Sequence, residues 1–356
     1  MWFIDMNTDD LAKDQLIDTR KMLGQFIKQA KMQAKHETCL ICGQKLPFCN
    51  SHTVPQFCLK NIADNGKVKL FNALIGTELL SVDSGINNAG TFHIICRPCD
   101  NTIFQDYENP QAYSNIPSSK LLNQIALKNV LRDIYKHEAE LEMIMNAKIM
   151  MHEKEPFIAI MMDRYFDSQI KARSLDVKEC YDIFNVAKNN LSVVSPSVHI
   201  VSFDKLNYIV PIAFQGMIAL ITGVNGEIIN NQYNYNPDYS VEYLHLVIFP
   251  LENTSVIITF SDDKNSRTLT FENELKNMSI TNRLEIINRI VLWYAEDYFL
   301  SPQLPKEVSS ELKQAAQQMQ DLVSISPEES LKKAAFQIDL RRDTCLPNLL
   351  SQEYAI

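Results

Sequence analysis

The sequence predicts an α+β fold, because three kinds of local pattern follow one another along the chain. Six of the eight cysteines lie between residues 39 and 99, in a short segment rich in turn signals. Apolar residues recur at helical spacing after Ser118, and strand-like apolar runs begin near Ser195. The 356 residues are enough for two or three domains, each with its own core. The predicted divisions are an N-terminal helix at 1–36, a cysteine-rich domain at 37–110, a helical region at 111–192, an α+β domain at 193–300 and a polar helical tail at 301–356.

The composition is that of an ordinary soluble protein, with 46% hydrophobic and 22% charged residues. A formal net charge of −9 argues against a protein that coats nucleic acid by overall attraction, but it leaves room for a local basic groove. The N-terminus lacks the basic and apolar regions of an export signal, and the most apolar stretch, Tyr208–Thr222, is too short to span a bilayer. We therefore expect a cytoplasmic protein without a membrane partner, in which the cysteines do not form structural disulfides.

The first third of the chain contains short elements. An amphipathic helix is predicted over residues 9–36, with lysines and an arginine on its exposed positions. The run PQFCLKNIA predicts a short helix that begins at Pro55, and another helix is expected after Cys99, with Asp100 or Asn101 as its cap. Three runs are typical of strands: KVKLFNAL, TELLSV and TFHIIC.

The helical middle and the C-terminal half are predicted from longer patterns. The run from Ser118 to Glu153 predicts one helix or two, a further helix follows through residue 190, and Pro156 is expected to separate them. Asn225-Gly226 predicts a tight turn in the β-rich block, and the run ITNRLEIINRIVLWYAEDYFL predicts a helix after it. The run HLVIFPLE is a candidate edge strand, through which the C-terminal domain would pair with a partner protein or a second copy. The predicted strands are SVHIVSF, YIVPIAF, MIALITG, EIINNQY, YLHLVIFP and SVIITFS.

Two Cys-x-x-Cys pairs predict a structural zinc site. Cys39 and Cys42 form the first pair, and Cys96 and Cys99 form the second. Two thiolates three residues apart in a tight turn both face one tetrahedral ion, so two such pairs supply a complete ligand set. The sequence therefore predicts that Cys39, Cys42, Cys96 and Cys99 bind zinc.

A second grouping of ligands stays open. Cys39, Cys42, Cys49 and His52 also have a spacing that suits three thiolates and one imidazole. This grouping leaves the Cys96 pair without a role, and it requires the segment LPFCNSH to fold tightly around the ion. Under the first grouping, His52 is free for another task.

The motif Ser51-His52-Thr53-Val54-Pro55, together with Cys96-Arg97-Pro98-Cys99-Asp100-Asn101, resembles the HNH family of nucleases over residues 39–108. In that family two cysteine pairs hold a structural zinc that staples a small ββα-metal core. The resemblance therefore implies a zinc-stapled HNH-like ββα domain in front of the helical middle, with the β-rich C-terminal domain and its helices behind it.

The resemblance also implies a chemistry, namely hydrolysis of a phosphodiester with one Mg²⁺ or Mn²⁺ ion. His52 matches the general base that takes a proton from the attacking water, a role that suits an imidazole near neutral pH. The last ligand of the catalytic metal falls on Asp100 or Asn101, so that Asp100 is a candidate metal ligand and Asn101 a candidate catalytic residue. Ser51 stands where the family often has a metal-binding aspartate. In the family, a middle asparagine orients the base. It has no clean match in this sequence, since Asn87 and Asn88 are only nearby.

Two hypotheses about function follow. The first is a metal-dependent HNH-like endonuclease, a phosphodiester hydrolase acting on nucleic acid, with DNA as the expected substrate. By analogy with bacterial nucleases of similar layout, it would serve in anti-phage defence. The second is a non-catalytic, zinc-stabilised module that binds nucleic acid or a partner protein.

Overall fold

The computed structural model describes residues 24–72, 84–194, 196–312, 327–340 and 346–356. Helices and antiparallel strands make up most of this part of the chain, as the predicted α+β class requires. The strands are β1 (Ser51–His52), β2 (Lys67–Asn72), β3 (Ser84–Gly85), β4 (Thr91–Phe92), β5 (Val198–Leu206), β6 (Ile212–Ile218), β7 (Leu244–Pro250), β8 (Ser255–Asp262) and β9 (Asp297–Leu300). The helices are α1 (Gln56–Ile62), α2 (Arg97–Ile103), α3 (Ser119–Lys154), α4 (Pro156–Asn189), α5 (Leu269–Asn277), α6 (Ile280–Tyr294) and α7 (Pro327–Gln337). Residues 24–33 and 306–312 are helical as well.

The helical middle is helical as the sequence predicts, and its two long helices, α3 and α4, form a hairpin. The hydroxyl of Ser118 accepts a hydrogen bond from the backbone N–H of Leu121 at 3.3 Å and so caps α3. Pro156 takes the first position of α4, where its missing N–H costs no hydrogen bond. Helix α3 is buried from Leu121 to Leu131, so this part anchors the hairpin in the protein. Farther out, the two helices share a separate small core of Met151, Ala159 and Phe166.

The larger sheet has seven strands in the order β3-β2-β9-β6-β7-β8-β5, and every neighbouring pair is antiparallel. Strand β2 comes from the predicted cysteine-rich domain and pairs with β9, so the sheet crosses the predicted boundary at residue 110. Val247 and Phe249 of β7 belong to the core that contains the cysteine-rich region and α3, whereas Leu246 and Ile248 belong to the core that contains α5 and α6. This alternation is what a strand between two layers shows.

Several predictions about element ends are wrong. The N-terminal helix ends at residue 33 and not at 36, and one strand, β6, stands in place of the two predicted in YIVPIAF and MIALITG. Helix α2 begins at Arg97 with Cys96 as its cap, so Asp100 lies in the first turn and not at the start. Only Thr91–Phe92 of the run TFHIIC is a strand. The last long helix ends at Tyr294, and Asp297–Leu300 forms β9 instead, because this segment pairs with both β2 and β6.

The prediction of an edge strand in HLVIFPLE is also wrong, since β7 lies between β6 and β8 and the sheet ends at β5. The run EIINNQY forms no strand in the structure; one isolated bridge joins Thr222 to Ile228 around a turn in which Gly226 has a φ of 84°. The run TELLSV, residues 9–23 of the predicted N-terminal helix, and residues 313–326 and 341–345 of the tail lie outside the described residues. Within the part of the chain that the structure describes, no helix has the length and apolar character needed to cross a bilayer.

Candidate metal centre and the buried ammonium beside it

The four cysteines of the two Cys-x-x-Cys pairs meet at one point. Their sulfur atoms all lie within 4.8 Å of one another, and Sγ of Cys42 is 3.8 Å from Sγ of Cys96. Four thiolates around a tetrahedral zinc at the usual Zn–S distance would be about 3.8 Å apart. The donor set and its spacing therefore fit a metal ion such as zinc, as the sequence predicts.

Two local structures hold these cysteines in place. Cys39 and Cys42 flank a turn in which the N–H of Gly43 donates to the carbonyl of Cys39 at 2.8 Å, and Gly43 adopts a positive φ of 70°. Cys96 caps α2 and Cys99 lies in its first turn, so the start of the helix presents both sulfurs on one side. The backbone N–H of Cys96 donates to Sγ of Cys39 at 3.3 Å. Burial alone would raise the pKa of Cys39, but hydrogen bonds from neighbouring backbone N–H groups lower it to about 7.

The alternative grouping with Cys49 and His52 does not match this arrangement. Cys49 is buried, and its Sγ lies 3.5 Å from the carbonyl oxygen of Ile95, to which it donates. Burial also raises the pKa of Cys49 to about 11, as is expected of a thiol that packs in a core. The cluster of four close sulfurs consists of the two Cys-x-x-Cys pairs, and Cys49 and His52 are not part of it.

His52 lies on the partly exposed face of a small ribbon. Strands β1 and β4 pair Ser51 with Phe92, both buried, and His52 with Thr91, both partly exposed. The Nε2–H of His52 donates to the carbonyl of Ile86 at 3.0 Å, which leaves Nδ1 as the proton acceptor of the neutral ring. Burial lowers the pKa of His52 more than this hydrogen bond raises it, so the imidazole is neutral at physiological pH.

On the buried face of the same ribbon, three side chains form a tight cluster around an ammonium group. Nζ of Lys128, from α3, donates to Oγ of Ser51 at 2.5 Å and to Oδ1 of Asp100 at 2.7 Å. Ser51 donates to the same Oδ1 at 2.8 Å. The Lys128 side chain is 0% exposed, and its Nζ lies 4.2 Å from the ring centroid of Phe104 and 5.4 Å from that of Tyr107. One positive charge therefore fills the space between Ser51 and Asp100.

These residues do not fit the divalent ion that the resemblance implies. Mg²⁺ requires near-octahedral oxygen ligands and keeps several waters. Oδ1 of Asp100 already accepts hydrogen bonds from Lys128 and Ser51, and Nζ of Lys128 lies beside it among aromatic rings, so this oxygen has no room for such an ion. The positive charge that the structure shows beside Asp100 is the ammonium of Lys128.

The other candidates from the sequence lie apart from this cluster. Asn101 is exposed on α2. Asn87 accepts a hydrogen bond from Gln56 at 2.8 Å, and the backbone carbonyl of Asn88 accepts one from Thr91; among the described residues, no hydrogen bond joins either asparagine to His52. It is the carbonyl of Ile86 that holds the His52 ring.

Lys128 is the residue that the sequence interpretation missed. It lies 20 residues beyond the end of the HNH-like segment, so no motif includes it. A signal was nevertheless present. Leu121, Ile125 and Lys128 follow one another at the i, i+4 and i+7 spacing of a buried stripe, and a lysine on such a stripe requires a buried partner.

Comparisons with known proteins give no match, since no family model, no curated protein and no solved structure is significantly similar to this chain.

Proposed function

We propose that this protein is a zinc-stabilised, HNH-like module that binds nucleic acid and does not hydrolyse it through a divalent ion. The observation that supports this proposal is the buried Lys128 ammonium, which lies between Ser51 and Asp100, where the resemblance to HNH nucleases implies the catalytic cation. Zinc at Cys39, Cys42, Cys96 and Cys99 would hold the ribbon and α2 together as a scaffold.

A basic stripe beside the ribbon supports nucleic acid as the partner. Lys28 and Lys31 are exposed on one side of the N-terminal helix, three residues apart, and the exposed Lys35 follows just beyond the end of this helix. Nζ of Lys31 lies 5.9 Å from the ring centroid of Tyr135, and that ring lies 6.1 Å from the ring of His93 in the segment after β4. The stripe therefore adjoins the partly exposed face of the ribbon, where a phosphate backbone would meet three positive charges.

A second candidate function is phosphodiester hydrolysis with His52 as general base. The observation that favours it is the orientation of His52, whose Nε2–H is fixed by the carbonyl of Ile86 while Nδ1 is left as an acceptor. In this case the positive charge at the scissile phosphate would have to come from a group other than a divalent ion bound to Asp100.

Two assays on the zinc-loaded chain separate these functions. Fluorescence anisotropy with a labelled DNA duplex and a labelled single-stranded RNA should show binding that weakens with salt. Replacing Lys31 by alanine should reduce the salt slope by about one. Lys332→Ala, at an exposed lysine paired with Glu328, is the matched control and should change nothing.

The second assay follows supercoiled plasmid in Mg²⁺ or Mn²⁺. We expect no cleavage by the native chain above the level of His52→Ala. Cleavage by the native chain that is lost in His52→Ala would establish the nuclease and contradict the non-hydrolytic module. Absence of binding to both nucleic acids would contradict the proposed partner.

A further inference from the structure

A large groove lies far along the chain from the zinc region. One wall is the C-terminal two thirds of α4, and the other is the segment of residues 231–243 that leads into β7. Its volume is about 1000 Å³, at the upper end of the range of small-molecule sites. No residue of the proposed nucleic-acid face lines it, so it is a separate feature of the molecule.

Tyrosines from both walls meet at one end of this groove. Tyr165 projects from α4, and Tyr233 and Tyr235 come from the opposite segment. All three side chains line the groove, where burial raises the pKa of each, and the charge of a nearby Tyr235 would raise the pKa of Tyr165 and Tyr233 further. The three partly buried rings offer flat apolar faces to a ligand that enters between the walls.

The segment that carries Tyr233 and Tyr235 is ordered by its own asparagines. The side-chain oxygen of Asn231 accepts from the N–H of Tyr233 at 3.1 Å, and that of Asn234 accepts from the N–H of Asn236 at 3.1 Å. Such Asx turns fix the backbone without a helix or strand. The aromatic wall is therefore built in advance of any ligand.

Some charged side chains of the groove have hydrogen-bond or ion-pair partners in the protein, and others have no ion pair among the described residues. Glu179 accepts from the N–H of Val241 at 2.6 Å and from the hydroxyl of Tyr243 at 2.8 Å, and Asp176 pairs with Arg173 at 3.1 Å. The three cations that line the groove form no ion pair with any residue that the structure describes: Arg164, Lys178 and Lys264.

Charges of both signs therefore line the groove, and the positive charge that an anion could meet is local to these cations. Asp182 is an exposed carboxylate on the same wall, and Asp262 accepts from the backbone N–H of Lys264 at 2.9 Å. Arg164 and Tyr165 both line the groove and are neighbours in the chain, so a guanidinium without an ion pair among the described residues lies near the aromatic end. Lys178 lies 14 residues farther along α4, roughly 21 Å away at the rise of a helix.

An amide side chain also lines the groove near the tyrosines. Gln169 lies one turn of α4 beyond Tyr165 and lines the groove, with both its donor and its acceptor available among the described residues. An amide side chain can pair with the edge of a base through one donor and one acceptor. Aromatic rings, the amide of Gln169 and the guanidinium of Arg164, which forms no ion pair among the described residues, therefore line the same groove.

We propose that this groove binds a nucleotide. Its base would lie against Tyr165 and Tyr235, its edge would meet Gln169, and its phosphate would be held by Arg164. Stacking on an aromatic side chain tolerates any base, whereas a guanidinium pairs with phosphate through two parallel hydrogen bonds. The inference does not depend on the proposed function of the zinc region.

The test is isothermal titration calorimetry of the full chain, loaded with zinc, against AMP, GMP, adenosine and inorganic phosphate. We expect saturable binding of at least one of the two nucleotides. Adenosine and phosphate should each bind at least about tenfold more weakly, because each retains only one of the two kinds of contact.

Variants locate the site and separate it from the nucleic-acid face. Arg164→Ala and Tyr235→Ala should each weaken nucleotide binding about tenfold or more, whereas Tyr235→Phe should keep it, because the ring face is retained. Lys31→Ala, on the N-terminal helix, should leave it unchanged. Circular dichroism and the unfolding midpoint of each variant confirm that the fold is intact.

Three results would overturn the proposal. One is the absence of saturable binding by AMP and GMP. Another is binding that Arg164→Ala and Tyr235→Ala leave intact in folded protein. The third is binding lost in Lys31→Ala, which would assign the nucleotide to the basic stripe.

Discussion

Lys128 and Arg132 lie four residues apart on α3, yet the charges around them are arranged differently. Lys128 has one carboxylate, Asp100, and is otherwise surrounded by Ser51 and aromatic rings. Arg132 pairs with Asp133 and with Asp297, each at 2.5 Å, and lies 3.8 Å from Glu296. One cluster has a single counter-charge in a closed space, whereas the other shares its charges among several partners.

The two clusters also connect α3 to different parts of the protein. Asp100 belongs to α2 of the cysteine-rich region, so the Lys128 pair joins that region to the helical hairpin. Asp297 begins β9, and Glu296 directly precedes it, so the second cluster joins the hairpin to the sheet. We therefore expect the loss of one partner to be costly at Lys128 and mild in the shared cluster.

The largest effect should come from loss of the metal, because the cysteine-rich region holds Asp100 against Lys128. In zinc-finger peptides a structural zinc contributes about 10 kcal/mol or more of apparent free energy. We expect about one zinc per chain in the native protein, and no zinc with a much lower unfolding midpoint in Cys99→Ser. Elemental analysis and thermal unfolding measure the two quantities.

Cys49→Ala is the matched control for this prediction. Cys49 is buried in the same region but lies outside the cluster of four sulfurs. It should therefore lower stability moderately and keep the zinc. Loss of zinc in Cys49→Ala together with its retention in Cys99→Ser would restore the alternative grouping with His52.

The second-largest effect on stability is expected at the ion pair of Lys128 and Asp100. Asp100→Ala leaves the Lys128 ammonium buried without a counter-charge, which typically costs about 3–5 kcal/mol. Lys128→Met keeps the volume and leaves Asp100, whose side chain is 19% exposed and still bonded to Ser51, so it should cost clearly less. Urea denaturation of the two variants compares the costs.

The double variant Asp100→Ala with Lys128→Met tests whether the unpaired charge causes the loss of stability, because it removes both charges. It should be more stable than Asp100→Ala alone, since no unpaired charge then remains. Equal stability of the two would mean that Lys128 reaches water or another partner in Asp100→Ala.

A smaller effect is expected in the shared cluster. Glu296→Gln removes the carboxylate that pairs with Lys136 and lies near Arg132. Lys136 still has Glu140 at 3.7 Å, and Arg132 still has Asp133 and Asp297. The Glu296 side chain is 42% exposed, so water screens its interactions, and the cost should be about 1 kcal/mol or less. The same urea measurement checks it. A cost as large as that of Asp100→Ala would remove the distinction between the two clusters.

The smallest effect is expected at the surface, where His199 lies between two carboxylates. Its ring nitrogens bond to Asp263 and Glu272, both at 2.8 Å. Partial burial opposes protonation, but these two hydrogen bonds outweigh it and raise the pKa of His199. The stabilisation is therefore complete below the unfolded pKa of about 6.5 and is lost as the pH rises through the folded value.

The comparison of native protein with His199→Gln measures this contribution. The native protein should be more stable than the variant at about pH 5.5, and the difference should shrink by about pH 8.5. Because His199 is 39% exposed, we expect the difference to stay within about 1 kcal/mol. A difference that grows with pH would contradict the assignment.

The sequence predicted the parts of this molecule that depend on local spacing. The two Cys-x-x-Cys pairs predicted the sulfur cluster, because a short turn fixes the distance within each pair. Ser118 and Pro156 predicted where the two long helices begin, because capping and the missing N–H of proline act locally.

The parts that depend on distant contacts could not be predicted. Asp297–Leu300 continues an apolar pattern that suits a helix, and only its pairing with β2 and β6 makes it a strand. Lys128 reaches Ser51 and Asp100 only because the buried part of α3 packs under the ribbon. The groove beside α4 needs two walls that are more than 40 residues apart in sequence, so no motif could indicate it.

The most direct test of the central claim, that the Lys128 ammonium takes the place of a divalent cation, is Mn²⁺ binding followed by electron paramagnetic resonance. The zinc-loaded native chain should bind no Mn²⁺ at Asp100, whereas Ser51→Asp combined with Lys128→Ala, which supplies a second carboxylate and removes the ammonium, should bind one ion. Stoichiometric Mn²⁺ binding by the native chain that is lost in Asp100→Ala would contradict the claim.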